Sequence, residues 1–323
     1  MVVNKMGEKI DFPKNYDLYL KKAMSYFKIG NMEEAIPYFA KAYQLKKEDK
    51  INTFYTTALY QIGSYQEAKE IAEEKLTFYQ TEEKLYAFYT SILIKAHYFE
   101  EATNIITKEQ HKIGKPKNLE VWETLAKNCL EEAENKRLQE EKKHKLILKQ
   151  SFSIGDKAYS EQAALMQELK LVPKDIYIQA AKIMLSNPFV NGLIKATLIE
   201  GLIAKECSEI IKITWFDEER QIIPTHLKPL EENQTVETVK KIIEEQVAIH
   251  NPSLFQLINE EVNLHVILLY PFIEEVITIP SIWVKLYQQK YDMEKTIIIE
   301  ESVEQKKMVE WMNRLNQQLS ELF

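Results

Sequence analysis

Glu261 and His265 are the two residues of this sequence whose types and spacing most directly suggest chemistry. They lie four positions apart, so on a helix both side chains share one face and could hold a metal ion together. No second pair with similar spacing stands nearby, and the six histidines are otherwise dispersed. A histidine that is partly exposed, or one that makes its hydrogen bonds inside the core, explains the pattern better. We therefore expect no bound metal and no cofactor.

Other catalytic motifs are missing from the sequence. It contains no GxGxxG, GxxxxGK[ST] or GxSxG, and it has only seven glycines, which argues against a phosphate-cradling loop. The acidic clusters at 217–219, 260–261 and 274–275 are typical of a turn and of solvated helix faces. If the chain is an enzyme, its site would lie in the C-terminal half around Trp215, His226 and these acidic helices.

The charge distribution argues against a nucleic-acid partner. The net charge is −7, with 25 basic against 23 acidic residues over 1–150 and 17 against 26 over 151–323. The acidic half disfavours binding to a polyanion. Only three arginines occur among the 42 basic residues, and arginine is the usual side chain for bidentate contacts with phosphates and bases.

The sequence also indicates where the protein is located and whether its cysteines are reduced. No run approaches the roughly 20 apolar residues that span a bilayer. The N-terminus has no apolar signal core, so we expect a cytoplasmic location without membrane insertion. Cys129 and Cys207 are isolated in the sequence, which is typical of reduced thiols in a core.

A short sequence pattern that occurs three times predicts the helices that would position any functional site. Gly30-x4-Ala35, Gly63-x4-Ala68 and His97-x4-Ala102 recur 33 and 34 residues apart, each between two helical stretches. Such a period predicts stacked helical hairpins. Asn31 with Glu34, and Ser64 with Glu67, predict capped starts for the second helices. Small alanines would let the two helices approach, and aromatic rings would fill the space between neighbouring hairpins.

These segments resemble the tetratricopeptide repeat (TPR), whose first helix reads Trp-x2-Leu-Gly-x2-Tyr and whose second carries Ala-x3-Phe. Tyr19-x2-Lys22-Ala23-x2-Tyr26 and Ala35-x3-Phe39 match that pattern, and Trp122-x2-Leu125-Ala126-x2-Cys129 looks like a fourth first helix. The resemblance implies an α-solenoid of helical hairpins over residues 1–133. Its repeats would lie at about 16–48, 49–82 and 83–118, with a degenerate unit at 119–133.

The rest of the chain is predicted to be mostly helical. Alternating charges predict a solvated bridging helix within 134–170. In 171–323 the pattern predicts a helical domain with helices at about 173–185, 189–207, 235–249, 252–269, 272–291 and 302–321. A small β-hairpin is expected near 210–224, turning at the polar run 217–220. This half loosely resembles the C-terminal regions of TPR proteins from low-GC Gram-positive bacteria.

The resemblance to TPR proteins implies a binding groove, because the first helix of each pair lines a concave surface in such arrays. It assigns to this groove Leu20, Met24, Phe27, Thr53, Thr57, Tyr60, Gln61, Lys84, Ala87, Ser91 and Ile94. The set is apolar, aromatic and rich in hydroxyls, which suits an extended peptide or an amphipathic helix. Alternatively, several of these residues only pack onto the next helix or the C-terminal half. Some TPR proteins clamp a C-terminal carboxylate, but of the matching positions here only Lys84 has a suitable side chain.

We therefore expect a non-catalytic scaffold or adaptor that binds a protein or peptide on the concave face of the repeats. Two alternatives remain open from the sequence. One is an enzyme with its site in the C-terminal domain. The other is a regulator that senses a small peptide in the groove.

Overall fold

The computed structural model describes residues 14–112, 119–248, 251–291 and 302–320. The chain divides into two compact units, Met1–Glu140 and Glu141–Phe323. The described residues are mostly helical, and a single pair of antiparallel strands lies in the second unit. The expected mostly α fold, with helical hairpins followed by a helical domain that carries a small β-hairpin, is confirmed.

The first unit begins with three helical hairpins, each of which packs against the next. Their helices are α1 (Lys14–Lys28) with α2 (Met32–Leu45), α3 (Asp49–Gln61) with α4 (Tyr65–Glu73), and α6 (Glu83–Lys95) with α7 (Phe99–Gln110), while the short α5 (Leu76–Tyr79) precedes the third. As the spacing predicts, the alanines of the repeated sequence pattern are fully buried. Aromatic rings join successive hairpins, for example Phe39 of α2 stacked on Phe54 of α3 at 6.4 Å.

The three tight turns share one backbone geometry. Gly30, Gly63 and His97 all have positive φ, at 79°, 83° and 67°. In each turn the next residue donates its N–H to the carbonyl five residues earlier, which is the bond of a Schellman motif. Asn31 caps α2 through a bond from the Glu34 N–H, as predicted. Ser64 occupies the predicted N-cap position of α4, but its side chain makes no capping bond, and Glu67 instead accepts from the Tyr55 hydroxyl at 3.1 Å.

His97 is the one non-glycine residue among these three turn positions. Left-handed backbone is strained for a residue with a Cβ atom. We expect His97→Gly to raise the free energy of unfolding by about 1 kcal/mol, because glycine relieves that strain at an exposed position. Urea unfolding followed by circular dichroism measures the change. Gly63→Ala introduces the same strain in the second turn and should lower stability by a similar amount. A His97→Gly protein no more stable than the wild type would contradict this account.

A buried polar side chain ties the first two hairpins together. Asn52 of α3 is fully buried, and its amide donates to the Tyr43 hydroxyl at 2.9 Å and to the Ile71 carbonyl at 2.6 Å. Its carbonyl oxygen accepts from the Tyr79 hydroxyl at 2.9 Å. Burial raises the pKa of Tyr79, which keeps that hydroxyl a donor. One amide therefore connects α2, α3, α4 and α5.

The fourth first helix does not end where the sequence suggested. α8 runs without a break over Leu119–Ser153, so the segments expected as a degenerate repeat and a separate bridging helix are one element. No glycine or proline occurs within it, and ion pairs such as Glu134–Arg137 support its charged stretch. The boundary between the two compact units falls inside α8. A 3₁₀ turn at Ile154–Asp156 follows, and α9 (Tyr159–Leu169) is a separate helix.

The second unit contains the remaining helices and the hairpin. These are α10 (Lys174–Leu185), α11 (Gly192–Ala204), β1 (Ile211–Trp215), β2 (Glu218–Ile222), α12 (Gln234–Ile243), α13 (Pro252–Leu269), α14 (Ile273–Val276), α15 (Pro280–Tyr291) and α16 (Val303–Ser320). A π-helical turn, Glu244–Ala248, extends α12. The strands pair antiparallel, with Ile211 opposite Ile222.

Three predicted boundaries in this unit are wrong. α11 begins after Asn191, which caps it through the Leu193 N–H at 2.8 Å, and not after the earlier Asn187. The helix expected over 272–291 is divided, since Pro280 starts a new helix. The hairpin turns at Phe216 and Asp217, so most of the polar run expected as the turn belongs to β2.

Candidate functional site

A cavity of about 220 Å³ opens between α3, α6 and α8 in the first unit. Its walls are formed by Tyr60, Ser91, Ile94, Lys95, Leu125, Asn128, Glu131, Glu132 and Asn135. Tyr60, Ser91 and Ile94 belong to the groove set predicted from the sequence. The structure thus brings these three predicted residues together with a wall supplied by α8.

Contacts with neighbouring aromatic rings hold Tyr60, the residue of α3 that lines this cavity. The Tyr60 ring makes edge contacts with Phe88 of α6 at 5.5 Å and with Tyr65 of α4 at 5.2 Å. The Ser91 hydroxyl donates to the Phe88 carbonyl at 2.7 Å, within its own helix. The aromatic wall is therefore held rigidly by packing between the second and third hairpins.

Both signs of charge are present at the cavity. Lys95 of α6 forms an ion pair with Glu132 of α8, and this hydrogen bond is the main cause of a raised Lys95 pKa. Glu131 lies 3.7 Å from Lys127 in an exposed pair on α8. Among the lining residues themselves, two carboxylates face one ammonium, because Lys127 is not part of the wall.

Two asparagines of α8 complete the wall. Asn128 and Asn135 are exposed and stand seven residues apart, on the same face of the helix as the two glutamates. In the part of the chain that the structure describes, neither amide has a hydrogen-bond partner. Sequence reasoning missed these residues, because the fourth helix was compared only with the TPR core positions. Their spacing on the helix was the signal that could have found them.

The other eight predicted groove residues lie outside this cavity. Phe27 makes edge contacts with Phe39 at 5.9 Å and Phe54 at 5.4 Å, while Leu20 and Met24 also pack against the core. Ala87 is buried, as is Ile94 within the cavity wall. Thus several of these positions mainly pack, which was the alternative explanation from the sequence.

The polar members of the groove set differ in their surroundings. The hydroxyls of Thr53 and Thr57 donate to carbonyls of their own helix at 3.0 and 2.7 Å. Gln61 and Lys84 are exposed. Binding of a ligand by any of these residues remains a prediction.

The pair Glu261 and His265 forms a buried network on α13. His265 is fully buried, its Nδ1 lies 2.5 Å from the Tyr287 hydroxyl, and its Nε2 lies 3.6 Å from the Glu261 carboxylate. Glu261 in turn accepts from Lys290 at 2.6 Å and from Tyr291. Burial lowers the pKa of His265 to about 4, so the ring is neutral at pH 7. Over the described ranges, no group of three potential metal-ligating side chains is found.

Among the residues named for an enzyme alternative, Trp215 and Asp217 line one cavity of the second unit, and His226 is not part of that lining. Trp215 lies in an aromatic cluster, with its ring 5.0 Å from both Phe272 and Trp311. His226 is exposed in the 3₁₀ turn Pro224–His226. Arg220 makes surface contacts with Glu218 and Glu275 of two acidic clusters. Glu261 is buried, so the solvated helix face expected at 260–261 is wrong for that residue. Cys129 and Cys207 are free and buried, as the sequence indicates.

Three helical hairpins with repeated Schellman turns and alanine-lined packing define a helical-repeat fold. Over 154 residues, or 48% of its length, the chain is 27% identical to the TPR repeat-containing protein YsoA of Bacillus subtilis (strain 168). This match covers 46% of that protein, so the aligned region spans about half of the relative. The resemblance drawn from the sequence is thereby confirmed. No protein-family model matches the chain.

Among the described helices, none is both long enough and apolar enough to cross a bilayer.

Proposed function

We propose that this protein is a non-catalytic scaffold that binds a peptide or protein segment on the face formed by α1, α3 and α6. The cavity between α3, α6 and α8 is the observation that carries the proposal. It contains three residues assigned to the groove from the TPR resemblance, and it adds partners from α8. The acidic composition and the arginine scarcity support a protein partner over nucleic acid, and a cytoplasmic location is part of the proposal.

The chemistry of the cavity favours an extended segment with exposed backbone. The amides of Asn128 and Asn135 can each donate to and accept from a peptide group. The Tyr60 ring offers an apolar surface beside them. Glu131, whose pair with Lys127 is exposed to solvent, offers a carboxylate for a basic side chain of the ligand. The cavity is thus more polar than the groove expected from the sequence.

The test uses a tryptophan to fill the cavity. Peptides are selected from a random display library against the intact chain, and their affinities are measured by fluorescence polarisation. We expect Kd values of about 1–100 μM. Ser91→Trp should weaken binding at least about tenfold, because the indole occupies the space that the ligand needs. Peptides with a lysine or arginine should be enriched.

Asn104→Trp is the matched control. Asn104 is an exposed polar residue on α7, the second helix of the same hairpin, and its replacement should leave affinity unchanged. Circular dichroism confirms that both variants are folded. The proposal fails if the library yields no binder below about 100 μM. It also fails if folded Ser91→Trp protein binds the selected peptides as tightly as the wild type.

A further inference from the structure

A second cavity, of about 320 Å³, lies in the 141–323 unit between α11, the β-hairpin, α13 and α16. Aliphatic and aromatic side chains form part of its wall, and several polar side chains reach it. The lining comprises Pro188, Val190, Gly192, Lys195, Ile213, Thr214, Trp215, Phe216, Asp217, Leu268, Tyr270, Arg314, Gln317 and Gln318. None of these residues belongs to the binding face proposed for the first unit.

Lys195 is a buried cation at this cavity. Only 8% of the residue is exposed, and its ammonium donates to the Thr214 carbonyl at 2.6 Å. Among the described residues it has no carboxylate within ion-pair distance, although an ammonium has three N–H groups to donate. Burial lowers its pKa to about 8, which leaves it mostly protonated at pH 7. A buried charge without a counter-charge is costly, and an anion beside it would remove that cost.

Two further residues of the lining carry a buried polar atom that lacks a partner. The indole N–H of Trp215, whose residue is only 4% exposed, has no acceptor in the described part of the chain. The buried side-chain oxygen of Gln318 likewise has no donor there. Buried polar atoms are nearly always hydrogen-bonded, so three incompletely satisfied groups around one cavity point to a ligand.

The other charges at the cavity compensate each other. Arg314 forms an ion pair with Asp217 at 3.0 Å, and its guanidinium lies 4.7 Å from the centre of the Trp311 ring. Lys195 therefore provides a net single positive charge. A monoanion matches this charge, whereas a phosphate dianion would bring a second charge that the lining does not neutralise.

We propose that this cavity binds a small organic carboxylate. The carboxylate pairs with the Lys195 ammonium and accepts from the Trp215 indole. The apolar body of the ligand contacts the aliphatic part of the lining, formed by Val190, Ile213 and Leu268. The Gln318 oxygen can accept from one donor group of the ligand.

The test compares carboxylates with their neutral amides on the intact chain. Benzoate and hexanoate, each beside benzamide or hexanamide, are titrated while tryptophan fluorescence and binding heat are recorded. We expect at least one carboxylate to bind with a Kd below about 1 mM. The matching amide should bind at least about tenfold more weakly, since it lacks the charge that pairs with Lys195.

Lys195→Met keeps most of the side-chain volume and removes the charge. It should weaken carboxylate binding at least about tenfold, while Lys212→Met, at an exposed position of β1, should not change it. In the unmodified protein, bound benzoate should slow reductive methylation of Lys195, measured by mass spectrometry after proteolysis. This readout serves if the Lys195 variant does not fold.

Three results would overturn the carboxylate site. They are equal affinity for carboxylate and amide, methylation of Lys195 at the same rate with saturating benzoate, or no binding at about 10 mM ligand. Each can be distinguished from failure of the peptide-binding proposal, because that proposal concerns residues of the other unit.

Discussion

Asn52→Ala is expected to lower the free energy of unfolding of the first unit by about 3 kcal/mol. The substitution removes the acceptor of the Tyr79 hydroxyl and the donor to the Ile71 carbonyl, both of which stay buried. An unpaired buried polar group costs about 1–3 kcal/mol, and two such groups are left at once. Urea unfolding of the intact chain, followed by circular dichroism, measures the loss.

Two comparisons separate this network from ordinary packing. Asn104→Ala, at an exposed position of α7, should change stability by less than about 0.5 kcal/mol. Tyr79→Phe removes only one hydroxyl, and the double variant should cost less than the sum of its parts because both changes break the same bond. Strict additivity, or an Asn52→Ala protein as stable as the control, would show that the network does not stabilise the unit.

Acidification from pH 6.5 to pH 4 is expected to cost the second unit up to about 3 kcal/mol through His265 alone. Burial holds the pKa of this histidine at about 4, against about 6.5 in an unfolded chain. As the pH falls below 6.5, His265 binds a proton in the unfolded chain but stays neutral in the folded protein. The free energy of unfolding therefore falls until the pH reaches the pKa of the folded state. The nearby Glu261 carboxylate opposes the shift and the Lys290 ammonium adds to it.

The variant His265→Gln isolates this contribution from that of the carboxylates, which also titrate over part of the range. The loss of stability between pH 6.5 and pH 4 should be about 3 kcal/mol smaller in the variant than in the wild type. Independently, the His265 ring proton signals in NMR spectra should not shift between pH 8 and about pH 5. A His265 that titrates near its ordinary pKa would contradict a buried, neutral ring.

The helical hairpins could be predicted because their signals are local. A glycine-type turn, an alanine five residues later and an aromatic stripe all lie within one 34-residue period. The turn at His97 shows how strongly this period constrains the backbone, since the left-handed conformation persists without the glycine. The β-hairpin was predictable for the same reason: alternation over 211–215 needs no distant information.

The polar groups in the two cores could not be predicted, because their partners come from distant parts of the chain. Asn52 looks like a surface residue until Tyr79 and Ile71 are placed beside it. Lys195 follows Ile194 in a helix whose apolar residues recur every four positions, and nothing in that pattern distinguishes a buried lysine from a solvated one. Its hydrogen bond to Thr214 depends on how the hairpin packs on α11. The periodicity of apolar residues shows which face of a helix or strand is apolar. It does not show which polar side chain has a hydrogen-bond partner.

The candidate binding site was only partly predictable. The TPR resemblance identified Tyr60, Ser91 and Ile94, but the wall from α8 depends on that helix continuing past the repeat pattern. Alternating charges after Glu131 were interpreted as the start of a different element. In the structure they extend the same helix, because nothing in the sequence breaks it.

The placement of the four tryptophans divides the chain into two optical regions. Trp122 belongs to the first unit, where it is buried and donates its N–H to Glu83 at 3.0 Å, whereas Trp215, Trp283 and Trp311 belong to the second. A chain in which phenylalanine replaces Trp122 would therefore have tryptophan emission from the second unit alone. The difference between the emission spectra of the wild type and of this variant is the emission of Trp122, which reports on the first unit. Tryptophan fluorescence can therefore show whether the two units unfold together or one after the other.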